Sequence, residues 1–342
     1  MNIANFVNRC HLVSGYYAGH VRLSGFPVHL KIELTNFCNL DCRMCARQKM
    51  TRQVGFMNRD LCYEILDWAS RHCCEFVYLH FLGESLYHPD LQKIVRTAHS
   101  RGIRVGLSTN ATVLDEAIAH GLIDSGIDLL VIAVDSPRQD QYEFLRKGAS
   151  WTEVIENTLR FARICKSSCS RTILVVQMVH CDLTADEGVE FLKFWGDNGL
   201  ASDKFRLIVK QWDDWAGQMA EVREWNTKTS PSVLRDLRPC VLPWRELSVQ
   251  WDGTVVPCSR FFDKQLVVGS LGSSDLTRVW NDDEMVELRC AHLKNSTASV
   301  PVCQGCPRQA MRPWSYLRYD QFALRLRHYC STGNRVPKRG LS

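Results

Sequence analysis

Cys38, Cys42 and Cys45 stand on one short stretch, Cys38-Asn39-Leu40-Asp41-Cys42-Arg43-Met44-Cys45, in a C-x3-C-x2-C spacing. Thiolates so placed can hold three irons of a cubane iron–sulfur cluster and leave the fourth iron open to bind and act on a substrate. Ligation by four thiolates suits electron transfer or structure instead. Zinc would need a fourth nitrogen or sulfur donor close by. His29 lies at the far end of the preceding strand-like run, and the residues just after Cys45 supply none. Asn36, Asn39 and Asp41 make the loop polar, which argues against three cysteines serving only as small buried hydrophobes. A second set is Cys240, Cys258, Cys303 and Cys306, the first two bracketing a hairpin signal and the last two forming a C-x2-C knuckle. On spacing alone, tetrahedral zinc and a fully ligated iron–sulfur cluster both fit that set.

The elements that must position these residues alternate in type. Strand-like runs at 28–34, 76–82, 103–108, 129–134, 172–179 and 204–209 give six β/α units, with helical stretches at 89–100, 113–120, 151–165 and 184–195. The run 129–134 is continuously apolar, as in a strand buried on both faces. Six parallel units predict a partial (β/α)6 TIM barrel whose reactive face lies at the C-terminal ends of its strands. A doubly wound sheet would call for a glycine-rich phosphate loop after the first strand, where the cysteine loop stands instead. Asp252-Gly253 between two β-prone runs predicts a hairpin, followed by a helix over 282–292. The expected layout is an extension at 1–27, the barrel at 28–211, a bridge at 212–239, a small cysteine-rich subdomain at 240–320 and a tail at 321–342.

Bulk composition narrows the setting. The 342 residues carry 42 basic and 37 acidic side chains, too balanced for a nucleic-acid binder. There is no apolar run of membrane-spanning length, and charges interrupt the N-terminus, so neither membrane insertion nor a secretory signal is expected. Sixteen cysteines in a chain this long fit clustered metal ligation in a reducing cytoplasm better than a secreted disulfide scaffold.

The triad and its surroundings resemble the radical S-adenosylmethionine (SAM) family over most of residues 28–211. The resemblance implies that the open iron chelates SAM and that Met44, before the third cysteine, packs near its adenine. Gly83-Glu84-Ser85 resembles the family's GGEP segment, with Leu82 and Ser85 departing from it. The resemblance also places polar strand-end residues against SAM, the candidates being Ser108, Asn110, Asp135 and Gln177. For each of these a capped strand end is the competing reading. Cys240, Cys258, Cys303 and Cys306 resemble the SPASM/twitch extension, which implies an auxiliary 4Fe–4S cluster. No cysteine falls in 307–320, so a second auxiliary cluster is not expected, and Cys290 and Cys330 are spare.

What the resemblance implies is a radical enzyme: reductive cleavage of SAM gives a 5′-deoxyadenosyl radical that takes hydrogen from a substrate C–H bond. An external donor such as flavodoxin or ferredoxin would supply the electron. Oxidation or epimerisation of a small or carbohydrate-like molecule is the expected outcome, because the 27 residues before the first strand leave no room for a peptide-leader domain. Cys181, after the fifth strand, is a candidate hydrogen donor for epimerisation. A peptide-modifying enzyme is one alternative. A non-catalytic iron–sulfur or zinc protein is another.

Overall fold

The computed structural model describes residues 3–200, 202, 204–212, 214–219, 225, 239–273, 275–304 and 306. Six strands, β1 (His29–Ile32), β2 (Phe76–Tyr78), β3 (Arg104–Thr109), β4 (Leu129–Ala133), β5 (Ile173–His180) and β6 (Phe205–Gln211), lie side by side in chain order, each parallel to the next. The sheet is not closed, so the expected partial barrel is the observed one. Three further strands, β7 (Glu246–Val249), β8 (Thr254–Val256) and β9 (Gly269–Ser270), extend the same sheet beyond β1. β7 and β8 are the anticipated hairpin. Its attachment was not anticipated: β7 pairs in parallel with β1 over four residues, from His29 with Glu246 to Ile32 with Val249.

Alternation along the strands separates two packed faces. Leu30, Ile32, Val77, Leu130, Ile132, Leu174 and Val176 enter the large core beneath the helices. Their neighbours Phe76, Leu129, Val131, Val175 and Ile208 form a second cluster on the concave face. The outer layer comprises α2 (Arg59–Arg71), α3 (Leu91–Ser100), α4 (Glu116–Asp124), α5 (Gln139–Leu145), α6 (Trp151–Ser167) and α7 (Glu187–Asp197). α4 starts three residues later than expected because Asp115 caps it, its carboxylate accepting from Ile118 N at 2.7 Å. β2 ends at Tyr78 rather than residue 82: the chain turns there, and the Ser85 hydroxyl donates to Leu79 O at 2.6 Å.

An N-terminal helix, α1 (Ile3–Tyr17), and two C-terminal helices, α8 (Leu276–Val279) and α9 (Asp283–Leu293), close the β1–β7 side. Fully buried Arg289 ties them together, donating to Pro243 O, Val21 O and Trp280 O at 2.8–2.9 Å. Among the described residues no helix is long and apolar enough to cross a membrane. The expected tail at 321–342 and the segment 307–320 lie outside the described residues.

Candidate active site

The cysteine loop follows β1 and is pinned from two directions. Asp41 N donates to Lys147 O and Arg43 N to Leu145 O, both at 3.0 Å, fastening the loop to the end of α5. The loop's own carbonyls are satisfied from the short 3-10 turn behind it: Arg47 donates to Leu40 O at 2.7 Å, and Gln48 to Cys42 O at 2.6 Å. The three thiols stand close enough to act on one another electrostatically. Burial pushes Cys42 up to about 12, opposed chiefly by the Arg146 guanidinium. Burial raises Cys38 and Cys45 as well. Such thiols give up their protons only to a strongly binding cation, as metal ligation requires.

The donor set fits a cluster ligated at three corners. Among the described residues no group of three or more His, Cys, Asp or Glu side chains is arranged to hold a single metal ion. Zinc at the triad would need a fourth donor. His29 does not supply it; it sits in the first rung of β1, opposite Phe76 and Glu246.

Several expected site residues surround the loop. Gly83 has φ +75°, and a Cβ there would lie 2.4 Å from Thr35 O and 2.7 Å from Phe37 O, so backbone meets backbone beside Cys38. Glu84 N donates to Phe37 O at 2.7 Å. The Glu84 carboxylate, 2% exposed, accepts from Asn110 N at 2.7 Å and Leu86 N at 3.1 Å. Burial raises its pKa while those donors oppose the rise. Asn110 reaches the triad directly: its Nδ2 donates to Cys38 Sγ at 3.7 Å and Asn39 Oδ1 at 3.0 Å. Met44 packs half-buried against the main core. Ser108 is half-buried on β3, and Gln177 is half-buried on β5, in register with Ala133.

Asp135 is fully buried and holds Arg146 at 2.7 Å while accepting from Val179 N at 3.0 Å. Arg146 is the residue that motif reasoning missed; it lies beyond α5 in a stretch with no recognisable signal. Cys181 is 0% exposed. Its sulfur caps the turn over Asp182–Thr184, accepting from Thr184 Oγ1 at 3.8 Å, and it belongs to the packed core.

The second cysteine set converges. Cys240, Cys258, Cys303 and Cys306 line one small cavity together with Leu242, Phe261, Val302, Arg260 and His292. Cys303 N donates to Val300 O at 2.8 Å and Cys306 N to Cys303 O at 3.2 Å, forming the knuckle. Burial pushes Cys240 and Cys258 up to about 12 and raises Cys303. Four sulfurs around one small cavity fit a fully ligated cluster. Cys290 does not line it, and Cys330 is outside the described residues.

An open α/β barrel with a cysteine loop above β1 and a cysteine-lined cavity beside it defines a class of iron–sulfur enzyme, and comparison with known proteins identifies the class. Residues 32–194 match the radical SAM superfamily, and residues 240–307 match the SPASM iron–sulfur cluster-binding domain. The chain belongs to the radical SAM superfamily and carries a C-terminal SPASM domain. Its cofactors are SAM, a 4Fe–4S cluster and an auxiliary iron–sulfur centre.

A tungsten-containing aldehyde ferredoxin oxidoreductase cofactor-modifying protein of Pyrococcus furiosus is 35% identical over 108 residues, 31% of this chain and 30% of that one. An AdoMet-dependent heme synthase of Methanosarcina barkeri is 29% identical over 128 residues, 37% of this chain and 36% of that one. The matches to these relatives span only about a third of their length. Among solved structures, SuiB of Streptococcus suis bound to its precursor peptide SuiA superposes with a TM-score of 0.64 at 16% identity, covering 88% of this chain and 74% of that one. BtrN in complex with AdoMet and 2-DOIA gives 0.56 at 16% identity, covering 82% and 93%. These likenesses are of fold.

Proposed function

We propose that the protein is a radical SAM oxidoreductase acting on a small or carbohydrate-like molecule. Cys38, Cys42 and Cys45 hold the catalytic cluster, and Cys240, Cys258, Cys303 and Cys306 hold the auxiliary one. When bound, cluster and SAM together supply the 5′-deoxyadenosyl radical that removes hydrogen from the substrate. The chain's part is positioning. Asn110 and Asn39 fix the orientation of Cys38, the Arg146–Asp135 pair brings a positive charge beside Cys42, and Gly83 lets the segment before Glu84 approach the loop backbone. Met44, Ser108 and Gln177 are then the side chains that would meet SAM. An external one-electron donor such as flavodoxin or ferredoxin reduces the catalytic cluster.

The observation that carries the oxidation reading is the cavity lined by four cysteines, because a fully ligated cluster has no open iron for substrate and is suited to accept or relay electrons. An electron taken from a substrate radical gives a product oxidised by two electrons overall. BtrN, whose complex holds AdoMet and 2-DOIA, supports a substrate of modest size, since the shared fold covers 93% of it. A peptide substrate is the second reading, favoured by the fold shared with anSMEcpe, whose complex holds AdoMet and a peptide.

The test is anaerobic reconstitution with SAM and dithionite. 5′-Deoxyadenosine should form, Cys42→Ala should abolish it, and iron should reach about eight atoms per chain for two cubanes. Well-loaded protein that forms none would refute the reading. Cys181→Ala separates the outcomes: oxidation survives it, whereas epimerisation dependent on that thiol does not.

A further inference from the structure

The concave face carries a group of polar side chains that none of the cluster chemistry uses. In the register of the sheet, Lys31 on β1 stands opposite Tyr78 on one side and Ser248 on the other. His80 lies two residues past Tyr78, beyond the end of β2, with its ring 5.9 Å from that of Tyr78. His80 Nδ1 and Ser248 Oγ are both buried without a hydrogen-bond partner among the described residues. Buried polar atoms are seldom left so, because each costs roughly 1–3 kcal/mol. His80, just beyond β2, and Ser248, on β7, flank β1 from either side, and their unpartnered atoms can serve a bound hydrogen-bonding group.

The electrostatics say what. The charged groups that act on His80 are Lys210, Lys31 and Arg146, and no carboxylate is among them. Burial and these cations lower His80 to about 4, so its imidazole is neutral and can donate from one nitrogen. Lys31 and Arg245 share one carboxylate, Glu246, at 2.8 and 3.2 Å. The place also has a definite address. Arg146 acts on both His80 and Cys42, and Lys31 acts on both His80 and Cys258. Lys31 Nζ reaches Ser259 Oγ, next to Cys258, at 3.4 Å, and His80 lies three residues before Gly83, which abuts the backbone leading into Cys38, so the group reaches toward both cysteine sets.

We propose that Lys31, His80 and Ser248 form an oxyanion subsite on the concave face, so that the substrate of this enzyme bears a carboxylate or a phosphate. This rests on the radical SAM reading of the barrel and adds a substrate class to it. An ammonium shared with Glu246 and flanked by two neutral hydrogen-bonding groups suits an oxyanion better than a cation.

The test uses reconstituted, SAM-loaded protein titrated separately with inorganic phosphate, followed by its 31P line width, and with propionate, followed by its 1H line width. Saturable broadening is expected with at least one anion; which one tells phosphate from carboxylate. Affinity should fall at least tenfold in Lys31→Met and in His80→Phe and be largely restored in Lys31→Arg. The absence of saturable broadening with either anion, or equal affinity in wild type and Lys31→Met, overturns the proposal. So does a loss of SAM affinity in the variants as large as the loss of anion affinity, because the group would then serve SAM. Failure of the wild type to form 5′-deoxyadenosine would sink the radical reading alone and leave the anion result standing.

Discussion

Gly83→Ala should unsettle the cysteine loop without touching a cysteine. The glycine sits at φ +75°, and the added Cβ would come within 2.4 Å of Thr35 O, 2.7 Å of Phe37 O and 2.8 Å of Asn36 C. All three are backbone atoms of the segment that leads into Cys38, so no side chain can swing aside. Gly102 provides the control: its φ is +72°, yet nothing lies within 4 Å of its Cβ position. Both substitutions incur a left-handed backbone cost of about 1–2 kcal/mol. Both recover roughly 0.4–1 kcal/mol from a stiffer unfolded chain. Only Gly83→Ala adds overpacking, about 1–3 kcal/mol. The expected losses are thus about 1 kcal/mol for Gly102→Ala and about 2–4 kcal/mol for Gly83→Ala. Urea unfolding of the cluster-free proteins measures the difference, and iron per chain after reconstitution shows whether the strain reaches the triad. Equal destabilisation, or full iron loading with a wild-type urea midpoint in Gly83→Ala, would refute the close-approach reasoning.

Arg52→Met should cost about 3–5 kcal/mol, because it strands the fully buried Glu33 carboxylate that Arg52 grips with two bonds of 2.8 Å. Arg22→Met removes an exposed pair with Asp283 and should cost no more than about 1 kcal/mol; similar urea midpoints for the two variants would contradict the burial argument. His29 gives a pH signature. Burial first, and then Arg245, lowers its pKa from 6.5 to about 3, so the fold keeps it neutral while the unfolded chain protonates it. Its contribution is complete above 6.5 and drains away as pH falls toward 3, at up to about 1.4 kcal/mol per pH unit. Urea midpoints of His29→Asn should change less than those of the wild type between about pH 7 and about pH 5; parallel curves would exclude the assignment.

Both cysteine sets were legible because ligand spacing is a local property of the chain. The six strands were legible too, since strands buried on both faces leave unbroken apolar runs such as 129–134. Other features had no local trace. α1 exposes Ile3, Phe6, Val7 and Tyr17, which blurs any inward stripe, so the helix passed unread. α2 carries a clear Asn58 cap, its side chain accepting from Asp60 N at 2.7 Å, and was overlooked for lack of a motif. Arg146 looks like a loop charge until the fold sets it against Asp135 and Cys42. Cys181 stands at the end of a strand, as read from the sequence, but its turn-capping contact with Thr184 is a three-dimensional feature with no local trace. His80 could have been found from the alternation Phe76, Tyr78, His80, but its missing partner is visible only in three dimensions.

The parallel pairing of β7 with β1 bears on how such enzymes can be dismantled. Val28 N donates to Arg245 O at 3.1 Å and Glu33 N to Val249 O at 2.8 Å, so the ladder runs the whole length of β1. A chain ending before residue 240 would leave that strand's amides and carbonyls as an open edge, the arrangement that recruits strands from other molecules. The SPASM region is therefore a covering for the barrel as well as a holder of iron. Exchanging it between relatives demands a replacement that offers a parallel strand in the same register, which makes it part of the barrel's solubility and not a detachable accessory.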